Sequence, residues 1–220
     1  MGGVGVVWRA GERYRGGDPA RGIETWHAFS FSGHYDPENA FFGFLIACNE
    51  ERLALNAGFA QHPHRDVEIV TWVIEGELCH EDDAGHRALV REGEIQRLSA
   101  GSGVLHSERN ASADKPLRFL QMWLHPAEFG TPPAYAITRG QDVSPLRQPG
   151  ALLAVHTATA RLPEAPFVYV HVVRGQLRLE AEQLGPGDAA RIRDAAGLTA
   201  HCDGPAEYLV WAMHGEPSYG

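Results

Sequence analysis

Cysteine and basic residues are scarce in this 220-residue chain, and each shortage excludes a class of protein. Cys48, Cys79 and Cys202 are too few and too scattered for a disulfide framework, so we expect all three to remain thiols, with Cys48 and Cys79 packed in the interior. The chain has 19 Lys and Arg residues against 28 Asp and Glu, a formal charge of −9 at pH 7. Because that charge repels a phosphate backbone, direct nucleic-acid binding is not expected.

Long apolar runs are also missing. No stretch approaches the roughly 18 apolar residues of a membrane span, so no membrane association is expected. The N-terminal sequence lacks the basic start and the long apolar region of a signal peptide, and the cytoplasm is the expected compartment. The hydrophobic content of 44% can fill a real core, which indicates a soluble globular protein.

Helix signals are few, and short segments rich in Val, Ile, Leu, Phe and Trp recur about every ten residues between glycine-containing turns. This pattern predicts an all-β barrel or sandwich. The turn residues 82–85 predict a hairpin loop in which Gly85 takes a positive φ. The acidic run around that loop is interpreted as a solvated hairpin, not a calcium loop. The clearest predicted strands are 26–31, 42–47, 67–74, 88–91, 95–98, 104–106 and 117–124.

The second half of the chain looks like a copy of the first when Gly175 is aligned with Gly76. The sequence Phe-Gly-Thr-Pro-Pro-Ala at 129–134 interrupts the strand pattern, because successive prolines cannot join a central ladder. We therefore expect two domains, residues 1–130 and 131–220, each a β-barrel.

Two pairs of metal-ligand residues stand out in the first copy. His62 and His64 are two residues apart, and His106 and Glu108 repeat that spacing. In an extended strand, residues i and i+2 point to the same face with Cα atoms roughly 6.5 to 7 Å apart, so both side chains can reach one ion. Three imidazoles and one carboxylate suit Fe(II), Mn, Ni, Cu or Zn, and six-coordinate geometry would leave two positions for substrate, oxygen or water.

The second copy offers no comparable ligand set. The alignment places Arg161 and Pro163 on the first histidine pair, and Ala200 and Cys202 on the second pair. We therefore expect one metal-binding barrel and one barrel without metal ligands.

The glycine-flanked HxH motif with a downstream Glu, followed by a glycine-rich turn leading to His106, resembles the two motifs of the cupin superfamily. The strings HPHRDVEIVTWVIEGEL, SAGSGVLHSE, PLRFLQMWL and TWHAFSFSGHYDPEN are similar to the pirin family, in particular its shorter bacterial members. The resemblance is strong over residues 8 to 135. It implies a bicupin of two stacked β-barrels, with one mononuclear metal, often iron, at His62, His64, His106 and Glu108. It also implies quercetin 2,3-dioxygenase activity.

Glu68 is the rival to Glu108, because it has the same strand parity as His62 and His64. Other cupins use a Glu at this motif position as a ligand, whereas the pirin pattern assigns that role to Glu108. Glu68 would then hydrogen-bond a ligand imidazole or, like Glu108, take a proton from the substrate. Gln121 and Trp123 are expected to line the barrel. The remaining histidines, among them His80, His86 and His171, are expected at the surface, at the edge of the core or packed within it.

Three functions follow from these expectations. The first is a metal-dependent dioxygenase, an oxidoreductase that opens a flavonol or related enolisable aromatic with O₂. The second is a non-enzymatic metal or redox sensor read by a regulatory protein, a role the family resemblance implies for eukaryotic relatives. The third is a cupin isomerase or lyase that acts on another oxygenated metabolite.

Overall fold

Antiparallel strand pairing accounts for nearly all of the regular structure. The computed structural model describes residues 5–140 and 142–217, and within them it contains no α-helix. Three short 3-10 helices cover Ala10–Glu12, Pro19–Arg21 and Pro37–Asn39. The strands are β1 (Val6–Trp8), β2 (Tyr14–Asp18), β3 (Ile23–His27), β4 (Leu45–Leu53), β5 (Gly58–His64), β6 (Glu68–Glu75), β7 (Glu77–Asp82), β8 (Arg87–Arg91), β9 (Glu94–Ser99), β10 (Val104–Asn110), β11 (Leu117–Leu124), β12 (Ala134–Arg139), β13 (Asp142–Val143), β14 (Ala151–His156), β15 (Ala160–Arg161), β16 (Ala165–Arg174), β17 (Leu177–Leu179), β18 (Glu182–Leu184), β19 (Ala189–Ala195), β20 (Thr199–Cys202) and β21 (Glu207–Met213).

The first barrel consists of two sheets. A seven-stranded sheet has the order β12-β9-β6-β11-β4-β3-β2, and a four-stranded sheet has the order β5-β10-β7-β8. Leu78 and Val90 from the small sheet pack against Leu53, Leu117 and Phe119 from the large sheet, and all five are fully buried. Alternate residues of each strand therefore face a shared interior, and β5 and β10, which carry the candidate ligands, lie side by side in the small sheet.

The second barrel repeats this arrangement. Its large sheet has the order β1-β19-β16-β21-β14-β13, and its small sheet has the order β15-β20-β17-β18. The sequence repeat corresponds to this structural repeat, and the prediction of an all-β bicupin is confirmed. Arg161 and Ala200 lie on the paired strands β15 and β20, which take the positions of β5 and β10.

Each barrel takes an edge strand from outside its expected half of the chain. Strand β12 pairs with β9 in the first barrel although it follows residue 130, and β1 pairs with β19 in the second barrel although it lies near the N-terminus. The division into residues 1–130 and 131–220 stays a prediction, and strand pairing crosses it at these two points.

A large apolar core joins the barrels. Val70 and Trp72 from β6 belong to the same buried cluster as Leu153, Tyr169 and Trp211 from the second barrel. The intervening residues of β6 point the other way, into the first barrel. Even-numbered residues of β6 therefore face the second barrel, a fact that decides the position of Glu68.

Most of the predicted local features are found, with shifted boundaries. The strand predicted over 26–31 is β3, which ends at His27, and the strand predicted over 42–47 begins later and extends to Leu53. The hairpin loop between β7 and β8 is confirmed, with φ of 94° at Gly85. The three cysteines are free, and Cys48 and Cys79 are buried as expected. No helix in residues 5–140 and 142–217 has the length and apolar character needed to cross a membrane.

Candidate metal centre

The four predicted ligand residues lie on two neighbouring strands. His62 and His64 are on β5, and His106 and Glu108 are on β10, which pairs with it in antiparallel orientation. His106 lies directly opposite His62, and the register shifts between His106 and Glu108. Strand β5 is the edge strand of its sheet. Pro63 has no backbone N–H to donate, and an edge strand tolerates this because no further strand pairs with its open side.

The three histidines converge on one point. Nε2 of His62 lies 3.1 Å from Nε2 of His106. The ring of His64 is 4.8 Å from each of the other two rings, measured between centroids. One ligand atom from each residue lies within 4.8 Å of those of the other two. This spacing allows all three imidazoles to bind a single cation between them.

The protonation pattern of these rings fits a cation. Nδ1 of His62 lies 2.8 Å from the carbonyl oxygen of Ala60, so Nδ1 carries the proton and Nε2 presents a lone pair. Nε2 of His64 is buried and has no hydrogen-bond partner among the residues that the structure describes. Buried polar atoms without a partner are uncommon, and a cation between these nitrogens would satisfy both.

Burial keeps the histidines in their metal-binding form. Desolvation, together with the neighbouring rings of His106 and His62, lowers the pKa of His64 to about 4. Desolvation and His62 likewise lower the pKa of His106 to about 3. Both imidazoles are therefore neutral at pH 7, as a ligand to a metal must be.

Glu108 is buried in the same barrel, and both of its oxygens are hydrogen-bonded. Gln96 Nε2 donates to Oε1 across 2.9 Å, and Gln121 Nε2 donates to Oε2 across 2.7 Å. Glu108 is outside the cluster of His62, His64 and His106, but it forms a second metal-capable group with His80 and His106, in which one ligand atom of each residue lies within 4.8 Å of the others. It also lines the same cavity as His62 and His64. Each carboxylate oxygen has a further lone pair, so the two amides orient Glu108 without preventing it from binding a cation.

Glu68 does not lie with the histidines, and the prediction from strand parity is wrong for it. The chain leaves β5 after His64 and takes φ of 50° at Asp66 before β6 begins in the other sheet. Parity is lost at this turn. Glu68 therefore shares the outer face of β6, toward the second barrel, and its Oε2 accepts a hydrogen bond from the backbone N–H of Arg147 at 2.9 Å. Burial raises its pKa above the ordinary value.

An apolar cavity of about 180 Å³ opens beside the cluster. Trp123 presents its edge to His64 at 4.9 Å between ring centroids, and Phe31 meets Trp123 edge-on at the same distance. Gln121 and Trp123 line the cavity, as their strand position predicts. The lining residues are Phe31, Asn49, Glu51, Phe59, His62, His64, Glu108, Gln121 and Trp123.

Glu51 is a cavity residue that sequence reasoning missed. It is 4% exposed, and its Oε2 accepts a hydrogen bond from the hydroxyl of Thr25. Desolvation raises its pKa to about 8, and the charges of Glu108 and Glu50 add to the effect. The sequence contained a signal, because Asn49 and Glu51 alternate in a segment that continues a predicted strand, and alternation brings both to one face.

His80 and Asp82 were also missed, because the acidic run was interpreted as a solvated hairpin. His80 is fully buried, and the Asp82 side chain is 1% exposed. Both are on β7, which pairs with β10 so that His80 lies opposite Glu108. Their i, i+2 spacing is the same signal that identified His62 and His64, and here it brings both side chains to the inner face of the barrel.

A two-barrel, all-β chain with a metal-capable histidine cluster in its first barrel is a bicupin. Sequence comparison also finds two cupin domains, since the pirin family profile matches residues 10–124 and the quercetinase C-terminal cupin domain profile matches residues 149–213. The chain belongs to the pirin family.

Individual relatives agree with this assignment. A Mycobacterium tuberculosis protein provisionally named quercetin 2,3-dioxygenase is 40% identical over 218 residues, which cover 87% of this chain and 88% of the relative. The quercetin 2,3-dioxygenase of Escherichia coli K12 is 32% identical over 211 residues, covering 87% of this chain and 91% of the relative. The crystal structure of the E. coli pirin YhhW in complex with nickel(II) superposes with a TM-score of 0.86 at 29% identity, covering 96% of this chain and 99% of that one.

Proposed function

We propose that this pirin is a metal-dependent dioxygenase of the quercetin 2,3-dioxygenase type, which cleaves a flavonol or related enolisable aromatic with O₂. The observation that carries the proposal is the convergence of three imidazoles beside a cavity with aromatic walls. The names of the E. coli and M. tuberculosis relatives support the same reaction class. The cytoplasm is the compartment we propose.

The ligands in this proposal are His62, His64, His106 and Glu108. The donor set accepts Fe(II), our first choice, and also Mn, Ni, Cu or Zn. The nickel complex of the E. coli pirin shows that a relative binds a first-row divalent ion. When bound, such an ion would supply Lewis acidity toward the substrate hydroxyls and electrons, or a conduit for them, toward O₂.

The cavity walls would select a flat aromatic substrate. Phe31, Phe59 and Trp123 offer ring faces and edges against which a flavonol ring can stack. The cavity volume of about 180 Å³ is below the roughly 300 Å³ at which pockets for whole drug-sized ligands begin. We therefore propose that only the hydroxyl-bearing ring enters, with the rest of the substrate at the barrel mouth.

A carboxyl group in the cavity would take the proton that the substrate hydroxyl loses. Glu108 is one candidate, but both of its oxygens already accept hydrogen bonds from amides. Glu51 is the second, since it lines the cavity; burial raises its pKa to about 8, so at neutral pH it takes the proton in the fraction of molecules in which it is ionised. A group with a pKa near the working pH exchanges a proton most effectively, and it must come within about 2.6 to 3.2 Å of the hydroxyl.

Oxygen uptake by metal-loaded protein tests the proposal. Quercetin should be consumed together with O₂, and chelation or His62→Ala should abolish the consumption. His214→Ala, which changes an exposed histidine far along the chain, is the matched control and should leave the rate unchanged. Full metal occupancy without oxygen uptake from quercetin or other flavonols would end the dioxygenase proposal. Tight binding of a regulatory protein under those conditions would favour the sensor, and turnover without oxygen uptake would favour an isomerase or lyase.

A further inference from the structure

A chain of contacts connects the metal centre to the surface through side chains that the proposed reaction does not use. Nδ1 of His106 lies 3.4 Å from Nδ1 of His80, on the side of the ring away from His62. Nε2 of His80 lies 3.1 Å from Oδ2 of Asp82. The same carboxylate accepts hydrogen bonds from the ring and the backbone N–H of His86, whose side chain is 41% exposed.

The donor and the acceptor of each hydrogen bond in this series of side chains can be assigned. Burial acts to raise the pKa of Asp82, but hydrogen bonds from His80 and His86 outweigh it and hold the pKa below its usual value. Asp82 is therefore ionised at neutral pH and can only accept hydrogen bonds, so Nε2 of His80 carries a proton. In a neutral His80 ring, Nδ1 is then an acceptor that faces His106.

The tautomer of His106 follows from this. Because Nδ1 of His80 is an acceptor, the contact is a hydrogen bond only if Nδ1 of His106 carries the proton. Nε2 of His106 then has a lone pair, and it is this atom that lies 3.1 Å from Nε2 of His62. Two nitrogens that both present lone pairs at this distance repel each other unless a cation lies between them.

The ring of Tyr135 packs against two of these histidines, His80 and His86, from one side. Its ring stacks on His80 at 4.5 Å and on His86 at 5.1 Å between centroids, with interplanar angles of 20° and 28°. Its hydroxyl donates a hydrogen bond to Oε1 of Gln96 at 2.9 Å, and Gln96 in turn donates to Glu108. The same aromatic ring thus supports both the histidine chain and the carboxylate.

We propose that Asp82 is a positioning residue that acts through His80 to fix His106 as the Nδ1–H tautomer, and so directs the unprotonated Nε2 at the metal. Carboxylates commonly orient metal-binding histidines, and here a second imidazole is inserted between the carboxylate and the ligand. This inference rests on the metal-binding part of the proposed function and is independent of the reaction.

Asp82→Asn should reverse the direction of hydrogen-bond donation from Asp82 through His80 to His106 while leaving the three side chains in place. Oδ1 of Asp82 accepts from the backbone N–H of His86 at 2.8 Å, which favours keeping the Asn oxygen at that position. The Asn NH₂ group then faces Nε2 of His80 and donates to it. His80 then carries its proton on Nδ1, which favours the Nε2–H tautomer of His106, and a metal must displace that proton before it can bind Nε2. Changes to such outer groups typically cost about 10- to 100-fold in metal affinity.

The first experiment measures the dissociation constant for nickel(II) by chelator competition in the wild type, Asp82→Asn and Asp83→Asn. Asp83 is the matched control, since it is on the same hairpin, loses the same charge and contacts the backbone N–H of Leu105 instead of a histidine. We expect about 10- to 100-fold weaker nickel binding in Asp82→Asn and a change below threefold in Asp83→Asn. Equal dissociation constants for the two variants would overturn the inference.

The second experiment reads the tautomers directly and needs no variant to fold. In ¹⁵N-histidine-labelled wild-type protein loaded with diamagnetic zinc(II), ring nitrogen shifts should assign a protonated Nδ1 and a metal-bound Nε2 to His106 and the Nε2–H form to His80. An Nε2–H form of His106 or a doubly protonated His80 would overturn the inference. If the wild type binds neither nickel nor zinc, the metal-binding proposal fails; if it binds them and His106 or His80 has another tautomer, the role of Asp82 alone fails.

Discussion

The side-chain amide of Gln121 donates a hydrogen bond to Oε2 of Glu108 across 2.7 Å, in a part of the barrel where both groups are buried. Gln96 donates to the other oxygen. The carboxylate of Glu108 accepts a hydrogen bond at each oxygen. A glutamine at position 108 would place its own NH₂ group against the NH₂ group of Gln96 or Gln121, and two donors cannot form a hydrogen bond. The pair of glutamines therefore distinguishes Glu108 from its isosteric amide.

Glu108→Gln should weaken metal binding and also destabilise the metal-free protein. One buried amide would be left without a partner, which costs about 1–3 kcal/mol in the free energy of unfolding. Denaturant unfolding of metal-free protein and elemental analysis measure the two effects. Glu128→Gln, an exposed change of the same chemistry, serves as the control. A Glu108→Gln protein as stable as the control would show that the glutamines do not require a carboxylate.

His64→Ala and His106→Ala should each lose the metal but keep the fold. The second barrel has the same strand order with Ala200 and its neighbours in the corresponding sheet, so apolar packing alone maintains this architecture. Metal content should fall from about one ion per chain to near zero, while the β-type circular dichroism spectrum is retained. Loss of the spectrum in both variants would instead indicate a structural metal.

Acidification should destabilise the metal-free protein. Burial lowers the pKa of His171 to about 4 and that of His64 to about 4, below the ordinary value of 6.5. The unfolded state then binds more protons than the folded state, so stability is complete above pH 6.5 and is lost as pH falls toward 4. His171→Leu should flatten part of this slope in denaturant titrations between pH 7 and 4. An unchanged slope would show that His171 is not buried in its neutral form.

Glu51 should produce the opposite trend at higher pH. Its pKa is raised from 4.5 to about 8 by burial, so the folded state retains a proton that the unfolded state loses. Its contribution to stability is complete below pH 4.5 and is lost as pH rises through about 8. Glu51→Gln should therefore remove a decline in the stability of the metal-free protein between pH 5 and 8. The exposed Glu24→Gln is the control and should retain the decline.

Alternation within one uninterrupted strand made the histidine site predictable. His62 and His64 lie in such a strand, and their convergence followed from the i, i+2 spacing. Glu68 was misplaced because the chain changes sheets between His64 and β6, where Asp66 takes the left-handed conformation. Asp adopts this conformation more readily than most residues, but a single Asp does not show where a strand ends. Parity is informative only as far as the strand continues.

The remaining differences between prediction and structure depend on which strands pair in the folded protein. Asp82 looked like one of several solvated acids, yet its side chain turns inward while Glu81 remains partly exposed, because β7 forms a wall of the barrel. The bicupin repeat was visible from its glycines, but the partner of each edge strand was not. A sequence pattern shows which face of a strand is apolar and leaves open which distant strand will lie beside it.

Because β1 pairs with a strand of the second barrel, the stability of that barrel depends on the N-terminal end of the chain. Strand β1 covers the open side of β19, and Arg9 after it reaches Glu182 and Asp188. Deleting the first dozen residues would consequently destabilise the second barrel. It would also expose the backbone N–H and C=O groups along the edge of β19, to which another molecule could pair. The histidines some fifty positions downstream would keep their immediate neighbours.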